Sequence, residues 1–333
     1  MIERIKWIDV VKFFGIFEIY LGHFGAQAGK AGSFVFAYHV ALFFLVSGCM
    51  ENLNTETNIV RYTVKKIKTL LIPCFFFAFL TVFLEVLQGG YGLGYVKGLF
   101  MIIVKGMIRN TFVNQSLWFL TCLFSIQIMF FFIKKLKYKL VVLLVCFGLY
   151  YTANVLLPVN PMYSPSWLFN VDSALVYILY YAIGYLVYPW VVKLFELDTT
   201  KKKAIFGISG VLSVIYTLGL YFGVDIVANT PLITFIGAIY PIFITCAIVW
   251  AHFVAARIFQ DVSIFVELGK DTLYLCGNEF IVKCFINNLT LFLGIQLTVW
   301  YPLQTYVYVI FLLVVTNKYL APVEKYILKR IVK

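Results

Sequence analysis

The sequence predicts an all-α polytopic membrane protein, and three features carry that prediction. Of 333 residues, 62% are hydrophobic and only 13% charged, whereas soluble domains carry about 25% charged residues. Mean hydropathy is +0.93, and the apolar residues fall in blocks near the roughly 20 that cross a hydrocarbon core. Phe (34) and Tyr (23) are heavily used, as lipid-facing helices and interfacial aromatic belts require. A soluble globular domain is excluded.

About ten spans follow, over 7–25, 33–51, 69–88, 115–133, 140–157, 170–192, 204–223, 232–256, 264–287 and 300–320. Residues 94–109 set Lys97, Lys105 and Arg109 around an apolar run too short to span, which predicts an interfacial or re-entrant helix. No segment is long enough to form a separate soluble domain, so residues 1–333 read as one transmembrane domain. Ala26-Gln27-Ala28 resembles a signal-peptide cleavage site. The stretch before it contains Asp9, Lys12, Glu18 and His23, which suits an apolar signal core poorly. It is read as a retained first span.

Orientation follows from the side on which Lys and Arg collect. With the N-terminus cytoplasmic, twenty of the 27 basic residues lie inside, four outside, and Lys12, Lys270 and Lys283 within spans. Both termini are therefore expected in the cytoplasm. The net charge of +12 is explained by these clusters and needs no nucleic acid partner. The seven cysteines lie in or beside apolar blocks without a CxxC, as small buried apolar residues do.

An ionisable group at mid-span costs about 2.5–3.5 kcal/mol on insertion scales, so such groups mark pathways or sites. In the first span Asp9 and Lys12 are three apart and can pair on one face. Lys12 and His23 are eleven apart, about three turns plus 20°, so they share a face about 16 Å apart along the axis. Glu18 points about 120° away from Lys12. His39 lies in the outer half of the second span, and His252 near the inner end of the eighth. A lone helical histidine is commonly a packing group. Sharing a face with Lys12 gives a chemical reading of His23 equal standing. Glu18 either lines a cavity or is simply paired. Two histidines and a carboxylate invite a metal, but no spacing matches a ligand motif, and no metal is expected.

The run Trp7-Ile8-Asp9-Val10-Val11-Lys12, then Gly22-His23, then Tyr38-His39-Val40-Ala41-Leu42-Phe43-Phe44-Leu45-Val46-Ser47-Gly48 resembles the opening of the acyltransferase-3 family of membrane O-acyltransferases. Lys65-Lys66-Ile67-Lys68-Thr69-Leu70-Leu71-Ile72-Pro73 is similar to that family's basic run before LLIP. Ser116-Leu117-Trp118-Phe119-Leu120 and Gly269-Lys270-Asp271-Thr272-Leu273-Tyr274 are similar to two later elements. There are departures. Lys12 stands where Arg is frequent and lacks its planar fork. Tyr38 and Ala41 replace Phe and Pro, and Asn278 and Glu279 stand where a late histidine is often found. The C-terminal SGNH-type hydrolase domain of some members is not expected.

The resemblance implies a multi-pass enzyme of the bacterial cytoplasmic membrane that moves an acetyl group from acetyl-CoA to a hydroxyl of a cell-surface or lipid-linked glycan. It implies His23 as general base, or as carrier of an acetyl-imidazole, since a free alcohol is a poor nucleophile at neutral pH. Asp9 and Lys12 would hold the inner end of the site, and His39 would orient substrate or share proton transfer. Arg61, Lys65, Lys66 and Lys68 would meet CoA phosphates, or lipid headgroups. Glu18, Trp118, Asp172, Asn278 and Glu279 are the candidate acceptor contacts. Trp118, like Trp167, has interfacial anchoring as its plainer reading. A flippase for lipid-linked sugars is the competing class, because intramembrane charges and basic inner loops serve transport too. A glycan polymerase ranks last, since the outer loops are short and hold one arginine, Arg109.

Overall fold

The computed structural model describes residues 4–89, 92–111, 116–225, 239–295 and 301–332. Among these there is no β-strand. Among the described residues six helices are long and apolar enough to cross a membrane, and a seventh span arises if a pair bent by 43° is joined. The helices are α1 (Lys6–Phe24), α2 (Lys30–Phe34), α3 (His39–Glu51), α4 (Ile59–Lys66), α5 (Ile72–Gln88), α6 (Leu93–Val104), α7 (Trp118–Ile133) and α8 (Lys139–Tyr151). They continue with α9 (Val171–Phe195), α10 (Thr200–Phe222), α11 (Tyr240–Phe259), α12 (Ser263–Lys270), α13 (Thr272–Phe292), α14 (Pro302–Val315) and α15 (Ala321–Ile331). Residues 232–238 of the expected eighth span lie outside the described residues.

The helices depart from the expected spans where the backbone bends. The second span breaks at Tyr38, whose φ of −148° ends the helical turn Val35–Ala37 before α3 begins. The ninth breaks at Asp271, between α12 and α13. The third and tenth instead run longer than expected. A π-helical turn, Ile67–Leu71, joins α4 to α5, and another, Thr316–Leu320, joins α14 to α15. Each turn precedes a proline, Pro73 or Pro322. Proline lacks an N–H and its ring crowds the carbonyl four residues back, and a widened turn relieves both. The basic C-terminal residues, expected beyond the last span, are thereby carried on the amphipathic α15.

The chain resolves into two compact units. The first comprises Met1–Val46, Val187–Thr272 and Val299–Leu313. Here α1 packs on α11 and α12. The contact is aromatic, with Phe13 stacked on Phe265 at 4.6 Å and Trp7 tilted on Phe253 at 5.2 Å. A Cβ added at Gly269 would stand 1.8 Å from the Asp9 carbonyl oxygen, so only glycine lets α12 approach the α1 backbone this closely. The first and late sequence elements, 260 residues apart, therefore meet on one helix pair.

The second unit comprises Ser47–Leu186, Leu273–Thr298 and Val314–Lys333. Its core holds Cys74, Phe77, Leu99, Ile103, Met107, Leu117 and Ile281. Helix α6 covers part of the expected 94–109 segment, and it ends in a turn clamped by the fully buried Asn170. The Asn170 amide donates to the carbonyls of Gly106 (3.3 Å) and Met107 (3.1 Å) and to Thr121 Oγ1 (2.8 Å), while its oxygen accepts from Arg109 N–H at 2.8 Å. Around these bonds Met107, Asn110, Phe169 and Asn170 stand at positive φ, a conformation that costs non-glycine residues energy.

Candidate functional site

Helix α1 carries Asp9, Lys12, Glu18 and His23. Asp9 is buried and accepts from Arg4 Nε at 2.6 Å and from Arg4 Nη2 at 3.3 Å. Lys12 Nζ lies 3.6 Å from Asp9 Oδ1, the pairing its three-residue spacing predicts. One carboxylate thus faces two cations. Arg4 precedes α1, so no helical spacing links it to Asp9. His23 sits half-buried at the C-terminal end of α1, two residues before Gly25 turns the chain at φ +55°. His39 opens α3, buried, with Nδ1 2.6 Å from the Val35 carbonyl and Phe36 packed edge-on against the ring.

Glu18 is paired. Its Oε1 accepts from Tyr38 Oη at 2.8 Å and lies 2.6 Å from His252 Nε2. The other imidazole nitrogen, Nδ1, lies 2.8 Å from the Ile248 carbonyl. Glu18 Oε2 is buried and has no hydrogen-bond partner among the described residues. His252 is the residue that sequence reasoning left without a role. Its span was expected to end at 256, but α11 continues to Phe259, which puts the imidazole deeper. The partners are 234 residues apart, and no periodicity could have joined them.

In the second unit, Arg61, Lys65 and Lys68 are exposed on α4 and the following π turn. Lys66 differs from them: its ammonium lies 3.7 Å from Glu51, a carboxylate that also accepts from Lys134 at 2.5 Å. Trp118 begins α7 beneath the Arg109 guanidinium, 5.1 Å from the ring centroid. Glu279 Oε2 accepts from Ser116 Oγ at 2.7 Å, and its Oε1 accepts from Lys283 Nζ at 2.7 Å. Asn278 donates to Glu324 at 2.6 Å. The Asp172 carboxylate accepts from the backbone N–H groups of Ser166 (2.6 Å), Trp167 (3.0 Å) and Ser173 (2.7 Å), which ties the first turn of α9 to the preceding loop.

All seven cysteines are free thiols. Among the described residues no group of three or more His, Cys, Asp or Glu side chains is placed to hold a metal ion. A family model described as an acyltransferase domain matches residues 5–318. No curated protein and no solved structure matches the chain.

Proposed function

Since the chain belongs to the acyltransferase-3 family of membrane acyltransferases, we propose that it is an O-acetyltransferase, moving acetyl from acetyl-CoA to a hydroxyl of a cell-surface or lipid-linked glycan. The family match over nearly the whole chain carries this reading. The cytoplasmic membrane of a bacterium is its proposed location, with both termini inside. CoA is a cytoplasmic compound, so the donor enters from that side.

His23 is the proposed base. Imidazole titrates near neutral pH and can lift the proton of a sugar hydroxyl as the oxygen attacks the thioester carbonyl. The C–O bond forms, the C–S bond breaks, and the thiolate takes a proton to leave as CoA. Lys12 and the Asp9 that orients it are proposed to hold the inner end of this site, with His39 positioning the acceptor. Within the second unit, Trp118 and Glu279 are proposed acceptor contacts, Glu279 by exchanging its bond to Ser116 or Lys283 for one to a hydroxyl. The other proposed acceptor contacts, Asn278, Asp172 and Glu18, also bond partners within their own units.

Mass spectrometry of surface glycans from cells with and without the chain tests the function. The expected result is an acetyl increment on one sugar, present only with the chain. Unchanged glycans in the two strains would remove the proposal.

The CoA phosphates are assigned to Arg61, Lys65 and Lys68. Lys66, paired with Glu51 at 3.7 Å, is left out of that proposed role. A hydrogen bond to a charged group is worth about 1.5–3 kcal/mol. The double variant Lys65→Gln/Lys68→Gln is therefore expected to raise KM for acetyl-CoA roughly tenfold or more, with kcat little changed. Salt is expected to weaken donor binding to the wild type, because these cations are exposed. An unaltered KM in steady-state thiol release would assign the phosphates elsewhere.

A further inference from the structure

Arg109, in the second unit, is a half-buried cation in the turn that follows α6. Its guanidinium lies over the Trp118 ring, 5.1 Å from the centroid, and Tyr177 lies beside that indole at 6.0 Å. Nη2 donates to the Pro161 carbonyl. The other N–H groups of the fork find no acceptor among the described residues, and Nε is closed off from solvent as well. No carboxylate among those residues forms an ion pair with it. Asp172, the one acidic residue in 105–121 and 160–177, turns its oxygens to the N–H groups of Ser166, Trp167 and Ser173. A largely desolvated charge without a counter-ion is costly. Its support is also unusual. Four of the five described non-glycine residues at positive φ, Met107, Asn110, Phe169 and Asn170, lie in this turn and the segment bonded to it. Such conformations gather at ligand clamps, where the surroundings fix them.

We infer that Arg109 binds an anionic group of the acceptor glycan, a carboxylate or a phosphate, so that the site selects an acidic polymer. The planar fork matches either group through two parallel N–H···O bonds. Trp118 beneath it and the Asn170 bond to its own N–H, at 2.8 Å, hold the fork in place before any ligand arrives, which lowers the ordering cost of binding. An incoming anion also supplies the counter-ion that the described protein lacks. With the N-terminus cytoplasmic, Arg109 falls on the outer side, where surface glycans are. It is the one arginine there. The inference rests on the acetyltransferase reading and adds to it the charge of the acceptor. A glycan is a polymer, so this contact holds the chain without touching the hydroxyl that is acetylated. Arg109 is a specificity residue and takes no part in the acyl transfer.

The test uses the purified full chain in nanodiscs and the radiolabelled surface glycan extracted from cells lacking the chain, with binding and thiol release read separately. A glycan that contains neither uronic acid nor phosphate overturns the inference at once. Otherwise one portion has its carboxylates reduced to alcohols and another has its phosphates removed with hydrofluoric acid. The wild type is expected to bind one treated portion roughly tenfold or more weakly than the intact glycan, and the portion that loses affinity identifies the anion. Arg109→Gln is expected to bind the intact glycan as weakly as the wild type binds that portion, with KM for acetyl-CoA unchanged. Lys97→Gln, which removes an exposed cation on α6, is expected to bind as the wild type does. Equal binding of all portions by the wild type would overturn the inference. So would a preference for the intact glycan that survives in Arg109→Gln, or an equal loss in Lys97→Gln. An Arg109→Gln chain that binds even the treated glycan worse than the wild type does would assign Arg109 to the fold alone, again overturning it. A wild type that binds the acidic glycan but releases no thiol from acetyl-CoA would remove the acetyltransferase reading and leave a glycan-binding site. One that does neither removes both.

Discussion

Replacing His23 with Ala is expected to lower glycan acetylation by about 10²–10⁴-fold, the range that positioned general bases contribute, while the protein accumulates normally in the membrane. The two halves of that expectation have separate causes. The chemical half follows from the poor nucleophilicity of a sugar alcohol, which needs its proton removed as it attacks. The structural half follows from where the residue sits. His23 is only half-buried at the last turn of α1, so truncating it leaves no large core cavity. The packing in this stretch comes from Gly22, where an added Cβ would lie 3.1 Å from Val35, and from fully buried Tyr20. The checks are the acetyl increment on the glycan and thiol release by the purified variant. Full activity in a well-folded variant takes His23 out of the mechanism. If an acetyl-imidazole forms instead, the same substitution is expected to remove a radiolabelled acetyl adduct from the wild-type protein, and a second assay reads that outcome.

The all-helical fold and the partners of Lys12 were legible in the sequence, for the same reason in each case. Apolar blocks of spanning length report burial in lipid, and residues three apart on a helix are neighbours whatever surrounds them. Contacts that cross the chain were not legible. Glu18 could be read as lining a cavity or as paired, and only folding α11 onto α1 brings His252 to it. Gly269 could be seen as part of a recurring element, yet its purpose, letting α12 touch the Asp9 carbonyl, is a property of two segments together. Lys66 looked like its neighbours Lys65 and Lys68. The difference lies in Glu51, fifteen residues earlier at the end of α3, which no helical spacing connects to it. The breaks at Tyr38 and Asp271 were hidden because neither residue is a proline or glycine that would announce them.

Glu51→Ala is expected to be the most destabilising single change in the second unit, by about 3–5 kcal/mol, the cost of removing one partner from a buried charge network. Glu51 is buried and answers four groups besides its own turn. Lys134 lies at 2.5 Å and Lys66 at 3.7 Å, and Tyr62 and Tyr181 donate to it at 3.0 and 3.2 Å. These donors come from α4, the C-cap of α7 and α9, so one carboxylate fastens three helices to the end of α3. Its loss leaves two largely buried ammonium groups without an anion and two buried hydroxyls without an acceptor. Both costs grow in a medium of low dielectric. The two lysines also lie over the Tyr62 ring, at 4.9 and 5.6 Å, which holds them in place once the carboxylate is gone and keeps the repulsion between them. Thermal unfolding in detergent reads the effect, and an unchanged transition would show that the network contributes nothing. The sharper check adds Lys66→Met and Lys134→Met to Glu51→Leu. Removing both signs of charge together is expected to recover most of the lost stability, because a buried ion network replaced by apolar side chains of similar volume is often neutral. Recovery in the triple variant, with no recovery when Lys65 is changed instead of Lys66, would separate the internal cation from the two exposed ones assigned to the acyl donor.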